Sequence, residues 1–381
     1  MSEVGQEVAE HVVDLAPSVT GGILKRLGAK SVLTYPDLLT HGPVSADSKR
    51  HRKERLKYLR AFYTSLYSGN PAAIKTQVDQ AMRPLEGGYL TAEQFGSAAG
   101  RLAKGGRFVI WTTPTFEDRL FLWFACSALL QEGISPDRIG IAEPQILLPS
   151  PIPARARYAN LRQLSDEDFE AEFDEVFYPE PIYIETAANL WETFASVSPR
   201  QLAVSVGHTR KFFPQFFVFI EDFANLFPRA TEPPGRRRDT RSRHALRLSE
   251  FDHDLFSNLS DAEFCAADEV LDDDFLEKYA YLGAHVALVR LREWGEATGE
   301  GAPYLIVESN PDCAPGDADP MAQFRYKLSA AGRALLEDGF EAGRKLPVFT
   351  SGNARTYAGK KPWVSFKDES SWNFERFGSD G

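Results

Sequence analysis

Cysteine is scarce: the 381-residue chain has three, Cys126, Cys265 and Cys313. They are odd in number, far apart and form no CxxC pair, which excludes a disulfide frame and a zinc site and points to a reducing compartment. Long apolar runs are also missing. The longest, Leu120 to Leu130, falls well short of the ~20 residues a membrane-spanning helix needs. The first residues, MSEVGQEVAEHVVD, lack the basic start and apolar stretch of a secretory signal. A cytoplasmic protein with no membrane partner is the expectation. There is no internal repeat, and neither GxGxxG nor GxxxxGK[ST] occurs, so no nucleotide fingerprint is met.

What is present belongs to a soluble, folded chain. Hydrophobic residues make up 43% and charged residues 25%, the balance of a globular protein. The length suggests two or three domains. The net charge of -11 is unevenly spread. Residues 1–150 carry 17 Lys+Arg against 15 Asp+Glu, and 151–248 carry 13 against 14. Residues 249–381 carry 13 against 25, so the last third alone holds the acidity.

Strand-like and helix-like segments alternate through residues 1–150. HVVDLA, SVLTYPD, GRFVIWTT and DRIGIAEP read as strands. GGILKRLGA, SADSKRHRKERLKYLRAFYTSLY and FEDRLFLWFACSALLQEG read as helices. Short links between them predict a doubly wound, mostly parallel α/β sheet covered on both faces, a Rossmann-like domain. The proline-rich LLPSPIPARARY marks a boundary. Residues 151–234 then read as helices only. LSDEDFEAEFDEVF opens with a capping box of Ser165 and Asp168, and Phe212, Phe216, Phe219, Phe223 and Phe227 form a core stripe at helical spacing. After an arginine-rich linker (Arg236, Arg237, Arg238, Arg241, Arg243), residues 235–345 read as three helical stretches, LSEFDHDLFSNL, DAEFCAADEVL and FLEKYAYLGAHVALVRLREWGEA. A hairpin and the helix AAGRALLEDG follow, an order resembling a winged helix. Residues 346–381 carry Trp363, Trp372 and Phe374 and are expected to pack back on the body.

The stretches HVVDLAPSVTGGILKRL, YPDLLTHGPVS, FVIWTTPTFEDRLFLWFA and YKLSAAGRALL together resemble the bacterial family known as domain of unknown function eighteen thirty-five. The resemblance covers most of the chain. It implies an α/β N-terminal domain followed by a helical, winged-helix-like part, and it brings no established activity. The chain departs from the family pattern at two places. Leu15-Ala16-Pro17-Ser18 replaces a Gly-Asp-Ser turn, and Thr112-Thr113-Pro114-Thr115 replaces an acidic, histidine-containing stretch. If relatives do chemistry there, these departures imply its loss here.

Ligands of open parallel sheets bind at the carboxyl ends of the strands. Those ends deliver Asp14 and Ser18, then Asp37 and His41, then Thr112, Thr113, Thr115, Glu117 and Asp118, then Glu143. His41 beside a Gly-Pro turn, with Asp37 nearby, has the make-up of a general acid–base pair. Asp118 is the third catalytic candidate, against the plain alternative that Glu117 and Asp118 favour a helix start by its dipole. Ser18, Thr20, Gly21 and Gly22 at a helix N-terminus suit a phosphate, although Pro17 removes one donor. The competing reading is that Ser18 caps the helix and the glycines permit close helix–sheet packing. Arg52, Arg55 and Thr113 complete the ligand-binding candidates, the arginines as cations for an anionic substrate. Asp252, His253 and Asp254 are metal-ligand types, but consecutive residues on a helix point apart, so no metal site is expected.

Two functions follow. The first is binding of a small anionic, phosphorylated or nucleotide-like ligand at the sheet edge, with hydrolase or transferase chemistry. The second is a non-enzymatic regulatory protein with a degenerate site, whose acidic C-terminal third meets a protein partner. Nucleic acid is disfavoured, because Asp272, Asp273 and Asp274 open the third helical stretch and repel phosphate. No cofactor is named by any motif.

Overall fold

The computed structural model describes residues 11–18, 20–148, 157–173, 175–196, 198–209, 218–230, 246–299, 301–313, 319–358, 362–367 and 372–376. The arginine linker, Phe212 and Phe216 lie outside them. Internal contacts divide the chain into two compact units. Residues 1–39, 46–52 and 87–193 form the first, and residues 40–45, 53–86 and 194–381 the second.

The chain opens with β1 (Val12–Pro17), α1 (Gly21–Arg26) and β2 (Val32–Tyr35), then the long α2 (Ser48–Leu66) and α3 (Ile74–Glu86). It continues with α4 (Ala92–Ala103), β3 (Arg107–Trp111), α5 (Phe116–Gln131) and β4 (Ile139–Ala142). A two-stranded pair, β5 (Leu147–Leu148) and β6 (Arg157–Tyr158), precedes α6 (Asp166–Glu172) and α7 (Pro181–Phe194). The first unit is built on an all-parallel sheet of order β2-β1-β3-β4. Strands β1, β3 and β4 are almost wholly buried and rich in Val, Ile and Leu, as strands covered on both faces must be, while the edge strand β2 is buried at alternate residues.

One face carries α4 and α5, where Tyr35 packs on Phe95 and Phe124. Helix α5 is buried along nearly its whole length, which is why its sequence shows no polar face. On the other face α1 and α6 close over Ala16, Val109, Trp111 and Phe169. The box at the start of α6 forms as the spacing predicts: Ser165 Oγ accepts from the Asp168 N–H, and the Asp168 carboxylate accepts from the Ser165 N–H. The region after residue 150 is not purely helical, since β5 and β6 pair across it.

The second unit holds most of α2, α3 and everything after residue 193. Its later elements are α8 (Pro199–Thr209), α9 (Val218–Ala224), β7 (Arg229–Ala230), β8 (Leu246–Arg247), α10 (Glu250–Ser257), β9 (Cys265–Ala266), α11 (Ala267–Val270), α12 (Asp273–Lys278) and α13 (Ala284–Glu296). Then come β10 (Thr298–Gly299), β11 (Ala302–Pro303), β12 (Leu305–Ser309), β13 (Phe324–Leu328), α14 (Ala330–Asp338), β14 (Thr350–Ser351), β15 (Ala354–Arg355), β16 (Trp363–Lys367) and β17 (Trp372–Arg376).

Two of the expected helices differ. DAEFCAADEVL is helical only from Ala267, since strand β9 precedes it and Arg325 and Tyr326 of β13 pair with its Ala266 and Cys265. The long third stretch breaks into α12 and α13 at Gly283, whose φ of +78° belongs to the left-handed region that glycine tolerates. The sheet order β12-β13-β9 is antiparallel. The tail forms the hairpin β16–β17, and β16 runs parallel to β7 in a sheet of order β17-β16-β7-β8. Phe223 and Phe227 of the aromatic stripe are buried and pack on Phe374 of that hairpin.

A buried ion pair anchors the second unit. Asp252 of α10 and Arg290 of α13 are both about 1% exposed and bond at 2.7 and 3.0 Å. Trp294 Nε1, Tyr357 Oη and Ser249 Oγ also donate to Asp252, at 2.8, 2.8 and 2.9 Å. Asp254, two residues along the same helix, turns the other way to Lys278. Asp252 and Asp254 take different partners, while His253 Nδ1 lies 3.5 Å from Asp254 Oδ1; among the described residues no group of three or more metal-ligating side chains is assembled. Nor is any described helix long and apolar enough to cross a membrane.

Candidate functional site at the carboxyl edge of the parallel sheet

Thr20, not Ser18, stands at the N-cap of α1, and it makes no side-chain cap. Thr20 is fully buried and its Oγ1 donates to the Pro17 carbonyl at 2.8 Å. The Ser18 N–H donates to the Tyr35 carbonyl at 2.9 Å, while its side chain is exposed. A Cβ on Gly21 would penetrate Thr34 Cγ2 of the neighbouring strand. Gly21 therefore lets α1 lie close on the sheet, whereas Gly22 faces solvent.

The polar groups concentrate instead after β3. Asp118 is 1% exposed and its Oδ2 accepts from Thr113 Oγ1 at 2.7 Å and from the Leu161 N–H at 2.8 Å. Thr113 Oγ1 also lies 3.0 Å from Thr115 Oγ1. Arg119 is fully buried and holds Glu143, at the end of β4, through two bonds of 3.1 and 2.6 Å. Glu117 pairs with Arg162, whose side chain remains 30% exposed. Thus three successive residues at the start of α5 reach three different partners: Arg162, the Leu161 backbone and the end of β4. Their burial follows from α5 entering the core at its first turn.

Burial sets the electrostatics. It pushes the Glu117 carboxyl up to about 8, with Arg162 opposing and Asp118 reinforcing the shift. Burial also raises Asp118, against the bonds from Thr113 and Leu161. Asp14, on the β1 face that carries Ala16, is raised by burial too, with the 3.0 Å bond from Trp111 Nε1 opposing. Glu117 is thus a buried carboxyl held well above its ordinary range, set beside a partly exposed guanidinium.

The other sequence candidates lie elsewhere. Asp37 is half-buried and belongs to the first unit, whereas His41 belongs to the second, so no single unit holds the pair. His41 is 3% exposed, its Nδ1 lies 3.0 Å from Tyr58 Oη, and its ring packs on Phe62. Gly42 follows with φ +79°, in space where a side chain would strike Tyr58. Arg55 is fully buried and donates to the His41 carbonyl, so it fixes this loop rather than facing solvent. Arg52 is spent on the Gly88 carbonyl at 3.3 Å and Gln94 Oε1 at 3.2 Å. Sequence reading placed Asp118 and Thr113 together, but it missed Arg162 and the Arg119–Glu143 pair. A basic residue in a segment of no regular structure gives no signal that it will return to a distant helix start. Compared with known proteins, the chain matches no family model and no curated protein.

Proposed function

We propose that the first unit belongs to a cytoplasmic protein and binds a small anionic, phosphorylated or nucleotide-like ligand at the carboxyl edge of its parallel sheet. The observation that carries this reading is the Glu117–Arg162 pair. A carboxyl that stays protonated to about pH 8 leaves the adjoining arginine, 30% exposed, with uncompensated positive charge for an anion. Buried carboxyls with raised pKa at such an edge are the residues from which proton-transfer sites are built. Glu117 would donate the proton in hydrolysis or transfer, and Asp118, fixed by Thr113 and Leu161, would hold the first turn of α5 in place. Membership of the domain-of-unknown-function family named above is part of the same reading.

A second reading has its own support. Asp118, Arg119, Asp14 and Thr20 all find partners inside the first unit, as in a site that has become purely structural. The order α10, β9, α11–α13, β12, β13, with β13 central in its sheet, supports a winged-helix-like module in the second unit. The last helix before its hairpin, α13, is buried along most of its length. That favours a role in packing or protein contact over insertion into a nucleic-acid groove.

A thermal-shift panel of nucleotides and phosphorylated metabolites separates the two. The first reading predicts a ligand that raises the melting temperature of the wild type by several degrees and much less in Arg162→Ala. A panel with no such ligand leaves the structural reading standing.

A further inference from the structure

In the second unit a groove of about 350 Å³ runs between α8 and β17, walled by Arg200, Val204, Gly207 and His208 of the helix and by Trp372 and Glu375 of the strand. The helix residues recur at i, i+4, i+7 and i+8, so they share one face of α8. Arg229 and Lys367 lie over the Trp372 ring, 5.6 and 5.7 Å from its centroid, and hold the indole wall in place. Among the described residues Arg200, His208 and Glu375 take no ion pair and no side-chain hydrogen bond. Arg200 and Glu375 therefore share a groove without pairing across it. Gly207 points the same way. A glycine inside a helix costs stability relative to alanine, and neither packing nor backbone asks for one here: a Cβ would meet nothing within 4 Å, and its φ is not left-handed. Gly21, by contrast, is required by Thr34. What the missing side chain of Gly207 leaves open is the groove.

We propose that this groove binds a free amino acid, its carboxylate on Arg200 and its ammonium on Glu375. A guanidinium offers a carboxylate two parallel N–H donors, and the Glu375 carboxylate accepts from the ammonium. Two opposite charges that face one groove without meeting are bridged by a ligand that carries both on a single carbon. A peptide terminus, with one of the two, satisfies only one wall. The space over Gly207 lets the ligand approach the helix. Val204, half exposed, and Trp372 offer apolar surface to the ligand's side chain, so a large apolar or aromatic one is favoured. His208 stands at the far end, about 12 Å along the helix from Arg200 at 1.5 Å per residue. The volume is at the lower end of ligand sites, which run from about 300 to 1,000 Å³, as a ligand of this size requires. The proposal is independent of the ligand site in the first unit.

The test is calorimetric titration of the full chain with free leucine, phenylalanine and tryptophan, and with the amide and the N-acetyl derivative of each. Saturable binding of at least one free amino acid is expected, weakened about tenfold or more in both of its derivatives. Arg200→Gln, an exposed change, should bring the free acid down to the level of its amide, and Glu375→Gln down to that of its N-acetyl form. Gly207→Leu puts a side chain into the groove and improves helix propensity, so it should abolish binding at an unchanged or higher melting temperature. No binding of any of the three amino acids, derivatives that bind as well as the free acids, or undiminished binding to Gly207→Leu overturns the proposal.

Discussion

Asp252 and Arg290 offer a sharp test of how the second unit holds together. Arg290 gives Asp252 its Nε and Nη2, Pro347 the remaining Nη2 bond at 2.9 Å, and Glu293 its Nη1 at 2.8 Å. Replacing Asp252 by Leu strands a buried guanidinium and orphans the donors of Trp294 and Tyr357. Breaking such a buried pair costs about 3–5 kcal/mol. Glu293, with a side chain 40% exposed, still faces Arg290 and holds the loss near the lower end. About 3 kcal/mol corresponds to a fall of roughly 6–12 °C in a unit of this size. Arg290→Met should cost as much, since it leaves Asp252 unpaired. The double variant Asp252→Leu/Arg290→Met should lose far less than the sum, because a buried pair can be replaced by apolar groups at little cost. Calorimetry of the four proteins gives the coupling directly. Single variants that each cost under about 1 kcal/mol, or losses that simply add, would refute the reasoning. The pair also has a pH signature. Burial raises the Asp252 pKa, but Arg290 and the other donors outweigh it and hold the carboxyl below its ordinary value. Its contribution is therefore present above about pH 4 and is lost as pH falls through the lower folded value.

Three further outcomes are expected. Gly21→Ala should destabilise the first unit by about 1–3 kcal/mol through overpacking, and adding Thr34→Ser, which removes the obstructing methyl, should restore most of it; chemical denaturation reads both. Arg292→Met should loosen the end of α2, because Arg292 donates to the last carbonyls of that helix at Ser65 and Leu66, and hydrogen exchange of residues 60–68 should rise more than that of β13. Glu117→Gln should change the pH profile of stability. A carboxyl raised from 4.5 to about 8 makes the wild type lose stability as pH rises across that window, and the variant should lose less.

The parallel sheet was legible because each strand is a short β-branched run between turn residues, with helical periodicity between them. Ser165 was readable as a cap because its bonds are local. The break between α12 and α13 was harder, since an apolar run continues through Leu282 while the backbone turns at Gly283. Strand β9 exists only because β13 pairs with it, a long-range event that two residues cannot announce. The site divides along the same line. Asp118 and Thr113 are five residues apart and legible together. Arg162 reaches Glu117 across 45 positions of chain, and Arg55, inside a run of cations, is buried by a loop it bonds through the main chain. The Gly-Gly pair fits both a phosphate cradle and close packing, and the close approach of Thr34 to Gly21 supplies a packing reason for the first glycine.

The central claim is that a neutral Glu117 frees Arg162 for an anion. The most direct test is calorimetric titration of inorganic pyrophosphate into the wild type and Glu117→Gln, one pH unit below and one above the Glu117 value of about 8. The account predicts that wild-type binding weakens about tenfold or more as Glu117 ionises and reclaims Arg162, while Glu117→Gln binds alike at both pH values. Equal wild-type binding across that step, or no pyrophosphate binding that Arg162→Ala removes, would contradict it.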